Sequence, residues 1–213
     1  MSAELVEIQN MLGELEEDRL LSAVRSSLAA GDDPMAIVEA CRAGMEEVGN
    51  RFSAGDYFVS ELIVSAELFN SVIGVLGPSL SAASDGGPKT KVVIGTVKGD
   101  VHDIGKDIVV AMLRCNGFDV YDVGVDAAPS VFVDKVRETG AKIVGLSGLL
   151  ALAFDGMEET INAFKAAGLD VRVMIGGGMT DEMVREKVGA DAYGRDAVEA
   201  VRLAKSFSEV EAK

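Results

Sequence analysis

The sequence predicts a mixed fold: an N-terminal four-helix bundle cap followed by an α/β domain built on a doubly wound, five-stranded parallel sheet. Three observations predict it. Through residue 80, apolar side chains recur every three or four positions, the period of helices with one buried face. From residue 91 onward, short runs rich in valine and isoleucine alternate with helix-period stretches. That is the pattern of a parallel sheet covered by helices on both faces. Between the halves, residues 81–90 (SAASDGGPKT) are small, polar and glycine-bearing, as a linker is. The expected division is a helical domain over 1–80, a linker over 81–90 and an α/β domain over 91–213.

Each element has its own local signal. Residues 4–30 carry helical spacing broken near Gly13 and ended at Gly31. Asp33-Pro34 has the form of an N-cap with proline at the first helical position. The helix it opens places Ile37, Cys41, Met45, Val48 and Phe52 on one face. A turn at Gly55-Asp56 leads into an apolar helix over 58–78, expected to end near Gly77-Pro78. Short connections between four short helices make a bundle. In the second half, buried strands are expected over 91–97, 118–123, 143–147, 171–175 and 191–193. Helices are expected near 104–116, 129–139, 156–167, 180–187 and 195–207. This is a flavodoxin/Rossmann-like order, in which ligands sit beyond the carboxyl ends of the strands at the switch point.

Composition narrows the function classes. The net charge is −15, and residues 1–85 hold fifteen acidic side chains against four arginines and no lysine. Binding a phosphate backbone needs the opposite sign, so nucleic acid is not an expected partner. No apolar run is expected to reach the roughly 20 residues of a bilayer span. The start, MSAELVEIQN, lacks the basic and apolar regions of a signal peptide. A cytoplasmic protein off the membrane is the expectation. Cys41 and Cys115 show no metal-ligand or redox spacing and read as packing residues in a reducing compartment.

The loop after the first predicted strand reads Lys98-Gly99-Asp100-Val101-His102-Asp103-Ile104-Gly105-Lys106. His102 is the one histidine of the chain. A lone histidine is more often structural than functional, but here Asp100 precedes it by two residues and Asp103 follows it. A neutral imidazole can bind a metal through one nitrogen while the other donates to a carboxylate. Gly105 allows close backbone approach at the start of the next helix. Two further loops match: Ser147-Gly148-Leu149 after the third strand, and Gly176-Gly177-Gly178 after the fourth. Taken singly, the serine reads as a cap and the glycines as turns.

Taken together, in order and on the expected loops, these residues resemble the B12-binding domain of cobalamin-dependent methyltransferases and mutases, with its D-x-H-x-x-G, S-x-L and G-G elements. Here 41 residues separate Gly105 from Ser147 and 26 separate Leu149 from Gly176, which is similar to the methyltransferase spacing. Phe52-x-x-Gly55-x-Tyr57-Phe58, followed by an apolar helix with Glu61 and Glu67, looks like the helical cap preceding that domain in methionine synthase. The resemblance therefore extends over nearly the whole chain, and it is to the small corrinoid proteins of methyltransferase systems.

The resemblance implies a cobalamin-type cofactor, with His102 as the lower axial ligand of its cobalt in place of the cofactor's own dimethylbenzimidazole. Asp100 would accept the other imidazole N–H. Val101, Asp103 and Ile104 would lie along the cofactor, and Gly105 would make room for its nucleotide tail. Ser147 and Leu149 would line the tail's pocket, and Gly176 and Gly177 would pack against the displaced base. Phe58 and Leu62 of the cap would cover the opposite face of the corrin. One departure stands out: 150–153 read Leu-Ala-Leu-Ala, without the hydroxyl that extends the His–Asp pair into a relay in methionine synthase.

The implied activity is that of a methyl carrier, cycling between Co(I) and methyl-Co(III). It is non-catalytic alone, is loaded by a substrate-specific methyltransferase, is unloaded by a methyl-accepting one, and is served by a reductive activator. A B12-dependent sensor shares both domains, but such proteins usually add a DNA-binding region, and 1–85 shows no basic helix-turn-helix stretch. A mutase small subunit normally lacks the helical cap. A flavodoxin-like domain holding another nucleotide would leave His102 without a task.

Overall fold

The computed structural model describes residues 3–83 and 89–211. The chain divides into two compact units, Met1–Gly87 and Pro88–Lys213. The first holds helices α1 (Ala3–Gly13), α2 (Glu17–Ala30), α3 (Pro34–Ala54) and α4 (Val59–Ala83). Contacts run α1 to α2, α2 to α4, α4 to α3 and α3 back to α1, closing a bundle. The Asp33 carboxylate accepts from the Met35 amide at 3.0 Å, with Pro34 in the first turn. Of the face expected on α3, Ile37, Cys41, Met45 and Val48 are buried, and Phe52 is half-buried. Burial pushes the Cys41 thiol up to about 12, so it stays protonated in its packing role.

Two expectations need correction here. The helices are not all short: α3 has 21 residues and α4 has 25, and α4 runs past Pro78 to Ala83. A proline removes its own bond from the helical ladder but not those that follow it, so it did not stop the helix. The first three residues of the expected linker are thus helical, Lys89 and Thr90 belong to neither helix nor strand, and 84–88 lie outside the described residues. Nor is the chain free of long apolar runs. Val59–Gly77, 19 residues, is long and apolar enough to cross a membrane by length and composition alone. It also buries Leu62, Ser65, Leu68, Phe69, Val72 and Leu76, as the core helix of a bundle does.

The second unit alternates β1 (Lys91–Thr96), α5 (Ile104–Cys115), β2 (Asp119–Asp122), α6 (Pro129–Thr139), β3 (Ile143–Ser147), α7 (Ala153–Ala166), β4 (Arg172–Gly176), α8 (Glu182–Val188), β5 (Ala192–Tyr193) and α9 (Ala197–Glu211). The sheet is parallel throughout, in the order β2-β1-β3-β4-β5. Helices α5 and α9 pack together, as do α6 with α7 and α7 with α8. Val93, Val144, Leu146, Val173 and Ile175 of the sheet, with Val97 just after β1, meet Phe132, Met157, Ile161 and Phe164 in one apolar core. The chain reverses its winding between β1 and β3, so the crevice of this fold opens between the loops that leave those two strands.

One buried charge ties α5 to the sheet edge. Lys106 is 4% exposed and its ammonium pairs with Asp107 at 2.8 Å and with Asp122 at the end of β2. Burial alone would push this lysine down. The Asp107 and Asp122 carboxylates more than offset that and hold it above its ordinary value. Removing one partner of such a pair leaves the other uncompensated, whereas surface pairs contribute little. Asp122→Asn, which leaves the enclosed Lys106 ammonium with only the exposed Asp107 carboxylate, is therefore expected to lower stability to urea unfolding by about 2 kcal/mol, while Lys135→Met, an exposed i,i+3 pair with Glu138, leaves it within about 0.5 kcal/mol.

Candidate functional site

Thr96 ends β1 opposite Ser147, and Ser147 ends β3 opposite Gly176 of β4. The three loops marked in the sequence therefore leave the sheet side by side. The residue that joins the first two is Asp100, 2% exposed. Its Oδ1 accepts from the His102 amide at 2.9 Å and lies 2.7 Å from His102 Nδ1. Its Oδ2 accepts from the amides of Leu149 at 2.7 Å and Leu150 at 3.1 Å. One carboxylate thus orients the imidazole and fixes the loop after β3. Burial alone would raise this carboxyl. The hydrogen bonds from His102, Leu150 and Leu149 outweigh burial and bring it down to about 2. An ionised acceptor at Nδ1 assigns the proton to that nitrogen and leaves Nε2 with its lone pair. The His102 side chain is 50% exposed, so Nε2 can be reached.

The surroundings of His102 are apolar where solvent would favour polar groups. Val101 is 65% and Ile104 78% exposed, and Leu149, Leu150, Leu152 and Met179 are exposed on the neighbouring loops. Exposed apolar groups concentrated at one edge mark a binding face rather than scattered surface. Leu150, Leu152 and Met179 were not read from the sequence as site residues. Their signal was there: leucine and methionine in loops that otherwise hold glycine, serine and alanine. Asp103 stands exposed at the N-cap position of α5 without a capping bond from its side chain.

A Cβ built on Gly105 would meet nothing within 4 Å, so this glycine borders open space. Ser147 is half-buried, and its hydroxyl has no hydrogen-bond partner among the described residues. The glycines after β4 have a reason of their own. Gly176 accepts from the Gly148 amide at 3.1 Å. Gly177, at φ +136°, would bring a Cβ to 2.0 Å from the Gly148 carbonyl oxygen. The Gly148 backbone by itself thus excludes a side chain at this position.

In the helical unit, Phe58 is 70% exposed, and its amide donates to Glu61 Oε2 at 2.8 Å. Leu62, expected beside it as a covering residue, is 1% exposed. Its side chain is enclosed by protein atoms, and the exposed apolar neighbours of Phe58 are Val59 and Ile63.

These residues fit a corrinoid better than a protein-caged metal. No group of three His, Cys, Asp or Glu that could hold a metal ion occurs among the described residues. A single oriented imidazole among apolar residues suits a metal that arrives with most of its ligands in a macrocycle. A B12 binding domain model matches residues 90–202, and a second B12 binding domain model matches residues 5–76. The dimethylamine corrinoid protein 2 of Methanosarcina acetivorans is 34% identical over 205 residues, covering 95% of each chain. A cobalamin-binding protein from Desulfitobacterium hafniense superposes with a TM-score of 0.83 at 37% identity, over 95% of this chain and 98% of that one. The methanol:cobalamin methyltransferase complex MtaBC of Methanosarcina barkeri contains a chain matched with a TM-score of 0.81 at 27% identity, over 97% of this chain and 80% of that one. With both of its units matched and relatives aligned along nearly its full length, the chain belongs to the B12-binding family of corrinoid proteins.

Proposed function

We propose that this protein is the corrinoid-carrying subunit of a methyl-transfer system, with His102 as the lower axial ligand of the cobalt. The observation that carries the reading is the buried Asp100 carboxylate, which holds His102 Nδ1 at 2.7 Å at the switch point of the sheet. When bound, the corrinoid supplies a cobalt centre that can take up a methyl group and give it up again. The protein supplies orientation and burial. Asp100 fixes the tautomer and raises the basicity of the imidazole. Val101 and Ile104 offer apolar contact to the macrocycle beside His102. Gly105 and the hydroxyl of Ser147 accommodate the nucleotide tail, and Leu149, Gly176 and Gly177 line its path. In the helical unit, Phe58 offers an exposed apolar side chain.

The relatives named above include a dimethylamine corrinoid protein and a chain of a methanol:cobalamin methyltransferase complex. By that analogy the partners are a substrate-specific methyltransferase that loads the carrier, a methyl-accepting one that unloads it, and a reductive activator. The acidic excess in the sequence of residues 1–85 favours basic docking faces on them, in a cytoplasmic setting without nucleic acid or membrane.

The test is the visible absorption spectrum of the protein reconstituted with methylcobalamin, beside His102→Ala. The expected result is a corrinoid retained through gel filtration with its own base off and histidine on, and a loss of the histidine-on band in the variant. A protein that retains no corrinoid overturns the reading. Retention with an identical spectrum in His102→Ala keeps the cofactor and removes the ligand assignment.

A further inference from the structure

We infer that Thr96 is a positioning residue for His102: together with Asp100 it clamps the main chain of residue 102 from both sides, so that a change of coordination is a rotation of the imidazole and not a movement of the loop. The inference rests on the reading of His102 as the axial ligand. Thr96 is fully buried at the end of β1. Its hydroxyl donates to the His102 carbonyl oxygen at 2.9 Å, while the His102 amide donates to Asp100 at 2.9 Å. Neither anchor can drift. The Thr96 amide donates to the Gly124 carbonyl at 2.9 Å, and its own carbonyl accepts from Ala127 at 3.0 Å. Asp100 is held by its amide on the Val97 carbonyl, by the Asp126 amide on its carbonyl, and by the Leu149 and Leu150 amides on its carboxylate.

The loop between the anchors is braced as well. Asp126, itself at φ +48°, accepts from the Gly99 amide at 2.8 Å. A non-glycine residue kept in that region is held there by its surroundings. Every main-chain polar group named in this loop thus points to a fixed partner, whereas the His102 side chain is half exposed and held by one bond. The soft degrees of freedom are the two side-chain torsions. A carrier needs that combination, because its ligand must let go and return to the same place at each transfer.

The test uses the methylcobalamin-loaded protein with Thr96→Val, which keeps the shape and removes the hydroxyl, and Thr96→Ser, which keeps the hydroxyl. The ratio of histidine-on to histidine-off absorbance is expected to fall about tenfold in the valine variant and to return with serine. The melting curve of the unloaded protein is read alongside. A wild-type ratio in a folded valine variant overturns the inference, and so does a serine variant that fails to restore it. Where the valine variant does not fold or retain cobalamin, hydrogen exchange at the His102 amide of the wild-type holoprotein decides. Equal protection in the methylcobalamin form and the reduced, histidine-off cob(I)alamin form supports a clamped main chain. Exchange that quickens about tenfold or more on release shows a moving loop and refutes it. A wild type with no His102-dependent band fails at the earlier reading, which the His102→Ala spectrum identifies separately.

Discussion

Gly177→Ala is expected to be among the most damaging single substitutions in the α/β unit, and Gly105→Ala among the least damaging to its stability. At Gly177 two penalties act at once. The φ of +136° lies where a side chain is strained, and the new Cβ would stand 2.0 Å from the Gly148 oxygen and 2.7 Å from its carbonyl carbon. Both obstacles are backbone atoms of the neighbouring loop, so no rotamer change relieves them. Strain and overpacking of this kind together cost on the order of 4 kcal/mol, a large share of the roughly 5–15 kcal/mol that a domain has. Gly105 is the opposite case. Its Cβ would meet nothing within 4 Å, and it sits in the first turn of α5, where alanine is the better helix former by up to about 1 kcal/mol. Urea unfolding of the unloaded proteins is expected to show Gly177→Ala destabilised and Gly105→Ala equal to wild type or slightly better. Cobalamin uptake then separates the roles, because Gly105→Ala is expected to bind at least about tenfold more weakly although its fold is intact. Wild-type uptake by Gly105→Ala would remove this glycine from the path of the nucleotide tail.

The contrast between those two glycines shows what the sequence could and could not reveal. Strands were legible because parallel strands buried on both faces are continuous apolar runs: 91–97 and 143–147 were expected, and Lys91–Thr96 and Ile143–Ser147 are found. The loops that carry the candidate site were legible for the same reason, since each begins where a run ends. The reason for Gly177 was not, because it depends on Gly148, 29 residues away along the chain and adjacent only through the pairing of β3 with β4. Asp100 was half legible. Its partner two residues on could be read from spacing, but the Leu149 and Leu150 donors are backbone amides, which leave no mark on residue type. Leu62 failed differently. An apolar helix such as α4 does not declare which of its apolar positions face inward, and Leu62 turned out enclosed while Phe58 stands in the open. Pro78 was over-read as a stop, although one missing bond does not end a helix whose other bonds persist.

Asp100→Asn is expected to weaken the fold and the coordination together, and in a pH-dependent way that identifies the carboxylate as the cause. The asparagine oxygen can still accept at one edge, but its amide nitrogen cannot accept from the N–H groups now served by the other. Either the Leu149 and Leu150 amides or the His102 groups lose their acceptor, at about 1.5–3 kcal/mol for charge-assisted bonds. The Asp100 carboxyl lies at about 2 in the folded protein against an ordinary 3.8, which corresponds by linkage to about 2 kcal/mol. Because the folded value is the lower one, that stability is fully present above about pH 4 and is lost as the pH falls through about 2. The gap in urea stability between wild type and Asp100→Asn is therefore expected to hold constant from about pH 7 to about pH 5 and to close as the solution is acidified toward pH 2. Over the same series at neutral pH, the methylcobalamin spectrum of the variant is expected to show histidine-on coordination weakened about 10- to 100-fold. A stability gap that persists unchanged at low pH would show that lost packing, not lost charge, is what the asparagine costs. Wild-type coordination in the variant would show that His102 needs no carboxylate to hold its tautomer. The two readouts test separate halves of one arrangement: a charge kept ionised by four hydrogen bonds, and an imidazole held ready by that charge.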